Sequence, residues 1–182
     1  MMSIIFFVLW MGHTPGKSPD AFIVIKEMDI KLTGQTNIGD FECTFTSTQA
    51  NDTLYLTRFK DCPYSFEIPV KSFKCDNLIL NYDFRKTLQT DQYPHIMVEV
   101  LSLYQTGHDR FSGSVSFCLA GKTKILEAIS FCKDIANGQQ RLTADFHLNG
   151  SDFGIKPRQK LGGMITTRDA LEITVSMRIQ DV

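Results

Sequence analysis

The chain has 182 residues, a formal net charge of −1 and an aromatic content dominated by 14 Phe. That length suits one domain with a real core, and so many aromatic rings suit strands and apolar pockets better than a helical bundle. A near-neutral charge, with Lys and Arg scattered along the chain, argues against nucleic-acid binding, which needs a basic face.

The stretch from Ile4 to Met11 is the chain's continuous apolar run. It falls well short of the roughly 20 residues needed to cross a bilayer as a helix, so no transmembrane span is expected. Its length suits the apolar heart of a secretory signal peptide, although no Lys or Arg precedes it and no small-x-small cleavage pattern follows. The expectation is an export segment and Pro/Gly/Ser linker over 1–20, processed before about Ala21, ahead of one domain over 21–182 in a periplasmic or secreted protein. A buried amino-terminal strand and a misassigned start are competing readings of the same run.

Beyond the linker, strand-like segments follow at short intervals. They lie near Phe22–Leu32, Gly39–Ser47, Thr53–Lys60, Tyr64–Val70, Ile96–Leu103, Arg110–Leu119, Lys124–Lys133, Gln140–Leu148 and Ala170–Gln180. This rhythm belongs to an all-β sandwich or barrel, not to βαβ units. Asn137-Gly138 is the strongest hairpin signal, because both residues tolerate the positive φ of a tight primed turn. Gly107-His108-Asp109 and Ala120-Gly121-Lys122 read as turns of the same kind. Between Val70 and Ile96 the rhythm breaks. Asn81 is the expected cap of a short helix near Asp83–Gln89, with Asp83 in its first turn. Phe84 and Leu88 share its buried face, and Pro94 holds Tyr93 extended before the next strand.

The last two strands show the cleanest alternation. Leu142, Ala144, Phe146 and Leu148 face away from Arg141, Thr143, Asp145 and His147. Leu171, Ile173, Val175, Met177 and Ile179 likewise oppose Glu172, Thr174, Ser176, Arg178 and Gln180. A period of two gives each strand a dry and a wet face, as in antiparallel sheets solvated on one side. Closed on itself, such a sheet encloses an apolar interior.

Motifs for chemistry are sparse. The five cysteines, Cys43, Cys62, Cys75, Cys118 and Cys132, are an odd number without a C-x-x-C spacing, which argues against a zinc cluster or a thioredoxin-like site. One or two disulfides in an exported chain, or small buried hydrophobes, are both open. Asp152-Phe153-Gly154 lacks the glycine-rich and catalytic loops of a kinase and reads as a turn in which Phe153 anchors and Gly154 supplies backbone freedom. The histidines at 13, 95, 108 and 147 form no metal-ligand pair, and no G-x-S-x-G elbow is present. No enzyme activity and no cofactor are expected. Asn51-Asp52-Thr53 and Asn149-Gly150-Ser151 match the glycosylation acceptor pattern, with ordinary turns as the plainer reading.

The segment Leu80 to Pro94, with Asn81-Tyr82-Asp83-Phe84-Arg85 and a closing Tyr93-Pro94, resembles a hallmark of the YceI-like family. Three further pieces follow the family's order. Gly34 to Cys43 resembles the "G-x-T-N-V-x-x-F-x-C" of a branch common in Bacteroidetes-type bacteria, Phe111 to Lys124 the strand–"G-x-T-K"–strand hairpin, and Asp152-Phe153-Gly154-Ile155 the late "D-F-G-I". Together they cover roughly Lys31 to Val182. The family's longer "R-D-x-H-L" helix pattern is replaced by Tyr82-Asp83-Phe84-Arg85. The resemblance implies a lipocalin-like antiparallel barrel with one or two short helices, whose apolar tunnel holds a polyisoprenoid or other long amphiphile outside the cytoplasm.

The resulting expectation is an exported carrier barrel whose partner is an apolar or isoprenoid-like small molecule. Phe66, Ile68, Val98, Val100, Phe117, Phe146, Leu148, Ile173 and Val175, drawn from the apolar sets, are the candidate lining. The alternative is a structural or interaction protein whose barrel is filled by side chains. Assembly as a homodimer stays open.

Overall fold

Alternating segments pair with their chain neighbours wherever a short turn lets the backbone double back. The computed structural model describes residues 21–48, 52–56, 64–156, 159–160 and 165–181. The expected export segment, Asn51, Cys62 and the second half of the expected strand Thr53–Lys60 lie outside the described residues.

The strands are β1 (Phe22–Thr36), β2 (Gly39–Ser47), β3 (Asp52–Tyr55), β4 (Tyr64–Pro69), β5 (Lys74–Cys75), β6 (His95–Gly107), β7 (Arg110–Leu119), β8 (Lys122–Ala136), β9 (Gln139–Asn149), β10 (Gln159–Lys160) and β11 (Ile165–Asp181). One α-helix, α1 (Leu78–Thr87), and two 3-10 turns, Val70–Ser72 and Gly150–Phe153, complete the described elements. All described pairings are antiparallel. The sheet order is β4-β6-β7-β8-β9-β11-β1-β2-β5, with β3 against β1 and β10 against β11. The sheet curls into a lipocalin-like half-barrel around its apolar face. Asn137-Gly138 and Ala120-Gly121 form tight turns with positive φ at both central residues, 53° and 73° in the first and 47° and 75° in the second, the conformation that matches strand twist.

Curling is helped by irregularities that alternation alone does not announce. The β1–β11 register shifts between Ile25 and Glu27, the β6–β7 register between Val100 and Ser102, and the β7–β8 register between Gly113 and Val115. In β8 the surplus residue beside that shift includes Ala128, held at φ 56°. Bulges of this kind bend a strand and sharpen its twist. Each also switches the inward set: Ile23 and Ile25 give way to Met28 and Ile30, and Val98 gives way to Leu103.

The helix begins earlier than expected. Asn77, not Asn81, is its N-cap, and its side chain accepts from the Leu80 N–H at 2.9 Å. Asn81 is engaged elsewhere: its Oδ1 accepts from the Cys75 N–H at 3.0 Å while its Nδ2 donates to the Cys75 carbonyl at 3.3 Å. The side-chain amide thus stands in for a strand partner of β5 and ties the helix to the sheet. Asp83 consequently sits mid-helix and no acidic residue occupies the first turn. Cys43 and Cys75, directly opposed on β2 and β5, form a disulfide. Cys118 is half-buried and Cys132 exposed, both as free thiols, so the buried-hydrophobe reading fails for Cys132.

Candidate ligand cavity

The inward side chains enclose a cavity of about 670 Å³. Its wall is overwhelmingly aliphatic and aromatic, from Ile25 and Leu54 at one end to Leu119, Leu148 and Ile155 at the other. The nine residues picked from the sequence all lie on this wall: Phe66 and Ile68 from β4, Val98 and Val100 from β6, Phe117 from β7, Phe146 and Leu148 from β9, and Ile173 and Val175 from β11. Phe117 and Phe146 stand tilted, with ring centroids 5.5 Å apart. Leu142 and Ala144 also point inward but are buried beside their neighbours and do not border the cavity. In register, Ala144 sits between Phe131 and Val175.

The sequence reading missed the contribution of α1 and of the β1–β2 turn. Leu80, Phe84 and Leu88 present the helix underside to the cavity, and Ile79, Ile38 and Phe41 form part of its rim. Phe84 packs on Phe73 at 5.2 Å, and Phe73 on Phe45 at 5.6 Å, fastening the helix across the end of the sheet. The shared face of Phe84 and Leu88 was the usable signal; what it faced was not readable without the topology.

Polar groups collect at this helix-covered end: Asp40, Asn77, Asp83, Asn149, Lys156, Arg168 and Asp169 border the opening. Several of them are engaged in the fold, Asn77 as the N-cap of α1. The Arg168 Nη1 donates to the Gln35 Oε1 at 2.9 Å, and the Asp169 carboxylate accepts from the Ser151 backbone N–H at 2.8 Å and from its hydroxyl at 2.5 Å. Lys156 is exposed, with no ion pair among the described residues. An apolar depth with a few polar groups at one end is the form of an amphiphile site.

The quoted sequence motifs converge on the same end. The Phe41 ring covers Gly34 so closely that no Cβ fits there. The Tyr93 ring lies 2.6 Å from where a Cβ on Gly121 would stand. Lys122 crosses Gly154, whose φ of 71° closes the turn after the deeply buried Phe153, and Lys124 pairs with Asp152. These contacts form a collar that joins the separate motifs around the opening. At the sheet's open side, the Tyr64 phenol is hydrogen-bonded to Asp52, and its acidity is suppressed first by burial and then by that carboxylate. Among the described residues no group of three or more His, Cys, Asp or Glu is placed to hold a metal ion. His147 points outward on β9, 3.8 Å from Glu172.

A profile for the YceI-like domain matches residues 18–179. The chain belongs to the YceI-like family. No curated protein sequence matches it. Among solved structures, this YceI-like chain is similar to BcnA of Burkholderia cenocepacia at a TM-score of 0.61 and 12% identity, covering 84% of this chain and 96% of that one. A polyisoprenoid binding domain from Saccharophagus degradans, implicated in plant cell wall breakdown, matches at a TM-score of 0.58 and 11% identity, covering 90% and 99%. A Campylobacter jejuni YceI protein matches at 0.50 and 11%, covering 66% and 72%. At such identities the likeness is one of fold. No helix among the described residues is long and apolar enough to cross a membrane.

Proposed function

We propose that this YceI-like chain is an exported carrier that sequesters a long apolar or isoprenoid-like chain in its barrel. The observation that carries the reading is a continuous apolar cavity whose polar groups are confined to one end. The likeness to a polyisoprenoid binding domain supports it. Ligand methylenes transferred into the cavity contribute about 0.8 kcal/mol each, against an association cost of roughly 4–15 kcal/mol. Only a chain of many carbons overcomes that cost, so the ligand is long, and the nine wall residues from Phe66 to Val175 supply its contacts. A side-chain-filled barrel would leave no such volume.

In this reading residues 21–182 are the binding unit, residues 1–20 the export segment, and the reaction repertoire is binding without catalysis. The Cys43–Cys75 disulfide supports export, because such bonds persist in oxidising compartments. The test is mass spectrometry of an organic extract of the protein purified from its native host. A long-chain lipid released in near-stoichiometric amount is the expected result. Protein that carries no lipid and takes up no polyisoprenol or fatty-acid probe would refute the reading.

A further inference from the structure

We propose that the open end of the barrel docks on an anionic lipid bilayer, with the outer face of α1 lying in the interface. The first observation is where the exposed apolar side chains stand. Leu78, Ile79 and Tyr82 on α1 are 86%, 69% and 64% exposed, and Ile38 at the tip of the β1–β2 turn is 71% exposed. Single exposed hydrophobes scattered over a surface need no explanation, but these stand together at the opening. Ile38 and Ile79 also form its rim, so the outer apolar surface is continuous with the interior. A surface of that kind marks an interaction site.

Charge indicates the partner. The carboxylates of the opening, Asp40, Asp83 and Asp169, stand on its cavity side with Lys156 and Arg168. Lys71, Arg85 and Lys86 instead line a shallow groove on the outer side beside Tyr82, with Asp91 as its acid. The Lys86 Nζ lies 5.9 Å from the Tyr82 ring centroid. Aliphatic tips, a tyrosine and basic side chains on one helix face are the composition of a helix that rests in a headgroup layer. Anionic lipids attract such cations. Docked this way, the opening faces the acyl chains, and an apolar guest passes between bilayer and barrel without crossing water. The proposal goes beyond the carrier reading, and its test reads membrane association without the cavity ligand.

The test is co-sedimentation of the purified protein with vesicles of phosphatidylcholine alone or of equal parts phosphatidylcholine and phosphatidylglycerol. The wild type is expected to sediment with the anionic vesicles, less so as salt rises. Lys71→Gln with Lys86→Gln should weaken binding by about fivefold per charge removed. Leu78→Ser with Tyr82→Ser should abolish it, while a fluorescent fatty-acid probe still enters the cavity. Wild-type protein that ignores anionic vesicles, or a Leu78→Ser/Tyr82→Ser variant that binds them like wild type, would overturn the proposal. So would a dimer, seen by light scattering, that this double substitution dissolves, since the face would then belong to a second copy.

Discussion

Replacing Val175 with Phe asks directly whether the barrel interior is space or packing. Val175 lies on β11 between Ala144 of β9 and Ile30 of β1, half-buried, on the cavity wall. A ring there projects about four extra carbons into the interior and excludes a similar number of ligand methylenes, a loss of about 3 kcal/mol at ~0.8 kcal/mol each. That corresponds to roughly a hundredfold weaker binding. With open volume beside it, the ring needs no displaced neighbour, so unfolding free energy should stay within about 0.5 kcal/mol of wild type. Displacement of a fluorescent polyene fatty acid gives the affinity, and urea unfolding gives the stability. The exposed, outward Ser130 of β8 supplies the control, Ser130→Arg, which should move neither. If Val175→Phe instead costs about 1–3 kcal/mol of stability, the signature of overpacking, and leaves probe affinity unchanged, the cavity reasoning is wrong.

Two further outcomes follow from the described contacts. The Cys43–Cys75 disulfide closes a loop of sequence separation 32, so Cys43→Ser with Cys75→Ser should lower stability by about 3–4 kcal/mol through the unfolded state, read by urea unfolding under non-reducing conditions. Burial and then Asp52 hold the Tyr64 phenol above its ordinary value of 10.0. Its proton therefore contributes stability fully present below pH ~10 and lost progressively above it, where the unfolded phenol ionises first. Absorbance at alkaline pH should show one tyrosine titrating last, and Tyr64→Phe should remove that step together with part of the alkaline destabilisation.

Strand alternation made the inward faces of β9 and β11 readable, because neither strand carries a bulge where they pair with each other. Elsewhere the pattern changes phase. Val98 and Val100 border the cavity, but the shift before Ser102 passes the lining role to Leu103, not to the next even position. A bulge is fixed by how two strands align, which one strand's sequence does not encode. The helix start was misread because Asn81 carries the same local signal as Asn77, and only the nearby β5 decides which amide caps and which bonds the sheet. β5 itself, Lys74–Cys75, is too short to show any period. The cysteine pairing had the same limit, since nothing local brings positions 43 and 75 face to face. The rim escaped notice because Ile38, Ile79 and Leu80 acquire their place from turns and helix packing.

The two margins of the sheet have a consequence for what the barrel admits. The described strands run from β4 to β5 without a backbone ladder joining those margins, and the Tyr64–Asp52 bond spans the open side near β3. In a fully closed barrel, strand number and stagger set the diameter. Here the chain itself crosses from β4 to β5 between Val70 and Phe73. Away from that turn no main-chain hydrogen bond among the described residues joins β4 to β3 or β5, so this flank spreads without breaking a described ladder. The far end is a different matter, walled by the tightly packed Ile25 and Leu54. Such a vessel yields to a guest's girth and resists its length.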